Sequence, residues 1–101
     1  MASVKMDWLP HSKAEFEKLR RRAIESGHYD EFRSLHNEVI RALCDLDQAS
    51  EVGERLKDSK RPGGEVRLWV HGHISVTFAL LRRERVGWIL NYASSPISWL
   101  D

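Results

Sequence analysis

A second cysteine is missing. Cys44 is the only one in the 101-residue chain, so no internal disulfide can form, and its place within an apolar helical stripe fits a reducing cytoplasm. No apolar run approaches the ~20 residues that a membrane-spanning helix needs, and the first residues lack the apolar core of a signal peptide. The expectation is a cytoplasmic protein with no membrane partner. Net charge is also nearly absent: 16 Lys and Arg against 15 Asp and Glu leave +1. Whole-molecule charge therefore gives no argument for nucleic-acid binding, and only local clustering can. Internal repeats and low-complexity segments are lacking. His71 and His73, two residues apart, would share one face of a strand, but a metal site needs a third ligand. Cys44 belongs to a helix, and Glu65 and Glu84 show no ligand spacing. Neither a metal nor a cofactor is expected.

What is present suits an ordinary folded domain. Hydrophobic residues make up 42% and charged residues 31%, a balance typical of globular proteins. The length fits one domain, residues 1–101, able to bury a core without staples. Val4, Met6 and Trp8 alternate with Lys5, Asp7 and Leu9, which predicts a short first strand ended by Pro10. Ser12 and Glu15 have the spacing of a capping box. Phe16, Leu19, Ala23 and Ile24 follow at helical spacing, and Gly27 is placed to cap the helix end. Asp30 is the expected cap of a second helix, whose stripe is Phe32, Leu35, Val39, Leu43 and Leu46. A helical hairpin, Ser12 to Gly27 and Asp30 to Leu46, is predicted.

Asp47 to Gly64 reads as a polar loop, ending in Lys60-Arg61-Pro62-Gly63-Gly64. Three strands follow in quick succession. In the first, Val66, Leu68 and Val70 are expected on the core face, with Arg67, Trp69 and His71 turned outward. Gly72 falls where a tight turn is needed. Ile74, Val76, Phe78 and Leu80 line one face of the next strand, and Val86 to Ala93 makes the last. Connections this short demand antiparallel pairing. The predicted class is α+β: an N-terminal strand, a helical hairpin, then an antiparallel three- to four-stranded sheet with the hairpin on one face. The predicted core is Phe16, Leu19, Leu35, Val39, Leu43, Val66, Leu68, Val76 and Phe78.

Leu56-Lys57 and Glu65-Val66-Arg67 give this layout a more specific likeness. It resembles the RelE/ParE superfamily of toxin–antitoxin toxins, including its HigB-like, phage-derived branch. The two stretches look like that family's Leu-Lys-Gly element and Glu-Leu-Arg strand motif, with Val66 in place of leucine. The chain departs from the family pattern in two places. Ser75-Val76-Thr77-Phe78 stands where an Arg-x-x-Tyr pattern is usual, and Ser94-Ser95-Pro96 replaces a basic tail.

The resemblance implies a toxin of a type II toxin–antitoxin system, with a cognate antitoxin as partner and the ribosome and its mRNA as substrate. In an endoribonuclease of this kind, side chains activate a ribose 2′-hydroxyl, stabilise charge on the phosphate and protonate the leaving oxygen. Arg67 matches the strand arginine, with His71, His73 and Tyr92 as candidate helpers. Lys57, Lys60, Arg61, Arg82 and Arg83 are candidate RNA contacts, beside a basic run on the first helix at Lys18, Arg20, Arg21 and Arg22. Acids interleave with these cations, as on any solvated helix face.

Two further readings stand beside the ribonuclease. The missing arginine, tyrosine and basic tail favour a non-catalytic interaction module or inhibitor on the same scaffold, since losing a positioned cation costs orders of magnitude in rate. Trp69, expected outside the core, is then the candidate partner anchor, unless the tail from Ile97 to Leu100 covers it. A gyrase-directed toxin is the third reading.

Overall fold

The helical hairpin forms where the periodicity places it. In the computed structural model, which describes residues 2–58 and 64–94, helix α1 spans Pro10–Glu25 and helix α2 spans Tyr29–Leu43. Between them Gly27 adopts φ +79°. Its N–H donates to the Ile24 carbonyl and the His28 N–H to the Ala23 carbonyl, a Schellman closure that requires the left-handed region. The N-terminal caps differ from expectation. Leu9 is the cap of α1 and Pro10 fills the first turn, where its missing N–H costs nothing. Ser12 lies inside the helix, fully buried, with its hydroxyl 2.7 Å from the Ile89 carbonyl and 2.9 Å from that of Leu9. It ties α1 to the sheet instead of forming a capping box. His28, not Asp30, precedes α2, and Asp30 sits in its first turn.

The sheet has five strands: β1 (Lys5–Trp8), β2 (Glu54–Asp58), β3 (Gly64–His71), β4 (Ile74–Leu81) and β5 (Val86–Ser94), in spatial order β1-β5-β4-β3-β2. β2 to β5 form an antiparallel meander, whereas β1 joins β5 in parallel. The fold is α+β as predicted: β2 to β5 make a four-stranded antiparallel sheet, and the N-terminal strand β1 joins it as a fifth. The segment expected as a loop from Asp47 holds both β2 and a one-turn helix α3, Leu46–Ala49. β2 reads Glu-Arg-Leu-Lys-Asp and carries a bulge between Arg55 and Lys57. As an edge strand it bears charge and a bulge, which discourage edge-to-edge pairing and erase the alternating pattern.

The core lies between the helices and one face of the sheet. Leu19, Val39, Leu43, Val76 and Phe78 are buried as predicted. Phe16 and Leu35 are half-buried against them. Val4, Ala23, Phe32, Ala49, Ile74, Leu80, Ile89 and Tyr92 complete the core, each large aliphatic or aromatic side chain contributing about 1.5–3 kcal/mol by leaving water. Ile24, expected in the α1 stripe, is 50% exposed.

The face of β3 is reversed from the prediction. His71 pairs with Ile74 across the turn, so Trp69 lies opposite Val76, Arg67 opposite Phe78 and Glu65 opposite Leu80. Directly opposite residues share a face. Glu65, Arg67, Trp69 and His71 therefore stand on the helix-covered side, and Val66, Leu68 and Val70 on the other. Val66 and Leu68 are half-buried there and Val70 is 53% exposed. β4 decides the outcome, because its set Ile74, Val76, Phe78 and Leu80 is the most apolar available and the two-residue turn fixes parity. A second shift occurs in β5. Thr77 pairs with Asn91 and Phe78 with Ile89, so Leu90 is extra, and Gly87, Ile89 and then Tyr92 face the core.

Candidate functional site

Burial of an acid between β3 and the β4–β5 turn creates the tightest polar cluster. Glu65 is 1% exposed. Its carboxylate accepts from Arg67 Nη1 at 2.7 Å and from Arg82 Nε. Burial pushes the Glu65 carboxyl up, but hydrogen bonds from Arg82 and Arg67 outweigh it and hold the group below its ordinary value. The same bond raises Arg82. Arg67, 8% exposed, also donates from Nε to the Val52 carbonyl at 2.8 Å and from Nη2 to that of Gly53 at 3.5 Å. Its guanidinium thus pins the turn before β2 to the core side of the sheet. The outward-facing arginine of the prediction is replaced by a buried one with three internal acceptors.

Tyr92 is buried at the centre of an aromatic cluster. Its ring lies 5.4 Å from Trp8 and 5.5 Å from Phe16, and its hydroxyl is 2.7 Å from His36 Nδ1. Burial raises the phenol above its ordinary value and lowers the imidazole below 6.5. A neutral imidazole accepting the phenol proton at Nδ1 carries its own on Nε2. His36 also stacks on Phe16 at 4.4 Å. This histidine escapes a sequence reading that follows apolar residues only. The available signal is its spacing of four from Phe32, which puts both on one helix face.

The remaining candidates spread along the sheet. His71 Nε2 meets Glu38 Oε2 of α2 at 3.2 Å, and its ring lies 4.9 Å from Trp69. His73 is half-buried in the β3–β4 turn. Arg67 and His71 share a face but stand four residues apart, about 13 Å along a strand, with Trp69 between them. Arg67, His71, His73 and Tyr92 are each held in a separate setting. Among the described residues no three His, Cys, Asp or Glu side chains converge as a metal site.

Of the candidate RNA contacts, Arg82 is committed to Glu65 while its side chain remains 47% exposed. Arg83 is exposed on the same turn. Lys57 contributes backbone to β2, and Lys60, Arg61 and the tail from Ile97 to Leu100 lie outside the described residues. No helix among the described residues is long and apolar enough to cross a membrane.

Trp69 is half-buried against the core, and its rim lines a hollow of about 270 Å³ with His71 of β3, Glu38, Arg41 and Ala42 of α2, and Gln48 of α3. A second hollow, about 400 Å³, adjoins it through Arg41 and Gln48 and continues past Cys44 and Asp45 to Ala2 and Ser3. A third, also about 400 Å³, lies along α1 beside Lys18, Arg21 and Arg22. Compared with family models, curated proteins and solved structures, the chain matches none.

Proposed function

We propose that this chain is a non-catalytic protein-binding module on a RelE/ParE-like layout, acting by holding a protein partner and not by cutting RNA. In a toxin–antitoxin setting that partner is the cognate antitoxin. The supporting observation is what the best catalytic candidate is already doing. Arg67 must reach a substrate phosphate to stabilise its charge, yet it is 8% exposed and spends its donors on Glu65, Val52 and Gly53. Freeing it would leave the Glu65 carboxylate with Arg82 alone. Tyr92 is likewise sealed beneath the helices against His36. A binding module asks for no such groups, only an anchor with a polar surround, and the Trp69 rim between Arg41, Glu38 and Gln48 offers one.

The test has two arms on the wild-type chain. Incubation with programmed ribosomes, read by primer extension, is expected to leave the mRNA intact. Affinity capture from the native host is expected to return a stoichiometric protein complex. Ribosome-dependent cleavage by the wild type overturns the reading in favour of the toxin ribonuclease.

A further inference from the structure

We infer that the sheet face turned away from the helices binds the same face of a second copy of this chain, about a two-fold axis parallel to the strands, with Asp7 of each copy set against Lys57 of the other. Trp69 stands on the opposite face, so this contact goes beyond the protein-binding reading and does not depend on it. The core residues and both long helices lie on that opposite face. Val66 and Leu68 of β3, Ala79 of β4, and Val86 and Trp88 of β5 are half-buried on the outer one, and Val70 is 53% exposed.

One row of residues crosses the whole sheet. Asp7 of β1 stands opposite Trp88, Trp88 opposite Ala79, Ala79 opposite Val66, and Val66 opposite Lys57 of β2. Directly opposite residues share a face, so the row begins with an acid, ends with a lysine and is apolar between. Turning a second copy over about an axis that follows β4 through Ala79 reverses the row. Ala79 then meets its own copy, Trp88 meets the partner's Val66, and Asp7 meets the partner's Lys57, an isologous contact. A two-fold across the strands through the same row sets Asp7 on Asp7 instead, and juxtaposed like charges oppose it. Asp7 is exposed and, among the described residues, has no ion-pair partner. The methyl of Ala79 at the axis leaves room for the ~10 Å separation of sheets packed face to face, and tryptophan is enriched among interface anchors. The area also suffices. β3 and β4 are each 8 residues long in a sheet of five strands, which at ~3.3 Å per residue and ~4.8 Å between strands gives a footprint on the order of 500–600 Å². Two copies together bury about 1,000 Å² or more, the size from which a specific interface holds.

Sedimentation velocity of the full chain across micromolar concentrations tests this, run on the wild type, on Asp7→Lys, on Lys57→Asp and on an equimolar mixture of the two variants. The wild type is expected to pass from monomer to dimer as concentration rises. Each variant alone places two like-charge contacts in its homodimer, so its dissociation constant should rise about tenfold or more. The mixture should regain a dimer of wild-type strength, because both unlike pairs re-form between one chain of each kind. That recovery also shows both variants to be folded, and thermal melts of the separate variants check the fold independently. A wild type that stays monomeric, a dimer that neither variant weakens, or a mixture that does not recover overturns the interface. None of these results involves RNA cleavage, the outcome that would defeat the protein-binding reading itself.

Discussion

Replacing Glu65 with glutamine removes one charge and almost no volume, so its cost measures the ion cluster and not packing. In the folded chain the carboxylate faces two guanidiniums. Arg82, with its side chain 47% exposed, returns to water when the charge is lost. Arg67 has no such route, being 8% exposed. Breaking a buried pair from one side typically costs 3–5 kcal/mol, because the remaining charge is left uncompensated. Arg67 keeps the Val52 and Gly53 carbonyls as acceptors, which places Glu65→Gln near the lower end, about 3 kcal/mol. For a domain of this size that lowers Tm by ~12–24 °C. Urea denaturation and a thermal melt read both quantities. Arg82→Ala serves as the contrast: the buried Glu65 carboxylate keeps Arg67 as its partner, so the cost should be smaller than that of Glu65→Gln. The double variant Glu65→Leu/Arg67→Met should recover most of the loss, since apolar side chains often replace a buried ion pair without penalty. A cost for Glu65→Gln below about 1 kcal/mol, or equal to that of Arg82→Ala, would refute the claim that Arg67 is a buried structural cation.

Three other outcomes follow from single contacts. Gly53→Ala should cost more than about 2 kcal/mol in urea denaturation, because φ is +69° and an added Cβ would lie 2.2 Å from the Leu68 carbonyl oxygen. Tyr92→Phe should cost about 1–2 kcal/mol by leaving His36 Nδ1 unpaired, with a melt equal to wild type as the disproof. Burial holds His36 below 6.5 in the folded chain, so the unfolded chain takes up this proton first. Its share of stability is present at neutral pH and is lost as pH falls below 6.5 toward the folded value. Melts from pH 7.5 to 5 should show a shallower acid-side decline in His36→Gln than in the wild type, and identical slopes would remove His36 as the cause.

Much of the fold is legible in the residues because strong local signals agree. The α2 stripe from Phe32 to Leu43, the glycine after α1 and the apolar alternation of β4 each survive, while Leu46, expected at the end of that stripe, opens the separate helix α3 because α2 stops at Leu43. What fails to show has a physical reason in each case. β2 holds one apolar residue in five, since an edge strand that alternated cleanly would invite another chain. The Leu90 bulge shifts the face of β5 partway along, and no run of residues announces it. The Glu65 cluster joins β3, the turn before β2 and the tip of the β4–β5 hairpin. No spacing within one segment could reveal such a meeting.

The parity of one turn carries the most functional weight. With Gly72 and His73 as its two residues, His71 must stand opposite Ile74, and every second residue back along β3 then joins the face of Val76 and Phe78. Apolarity within β3 points the other way, toward Val66, Leu68 and Val70. The conflict is settled by β4, which has four large apolar residues to bury against the helices. β3 consequently sends an acid and an arginine inward, and the two pair with each other because neither can be buried alone. The same parity keeps Trp69 at the helix-covered side, half-buried beside Arg41. Arg67 becomes part of the scaffold, buried among Glu65 and the Val52 and Gly53 carbonyls, while Trp69 lines a hollow at the surface.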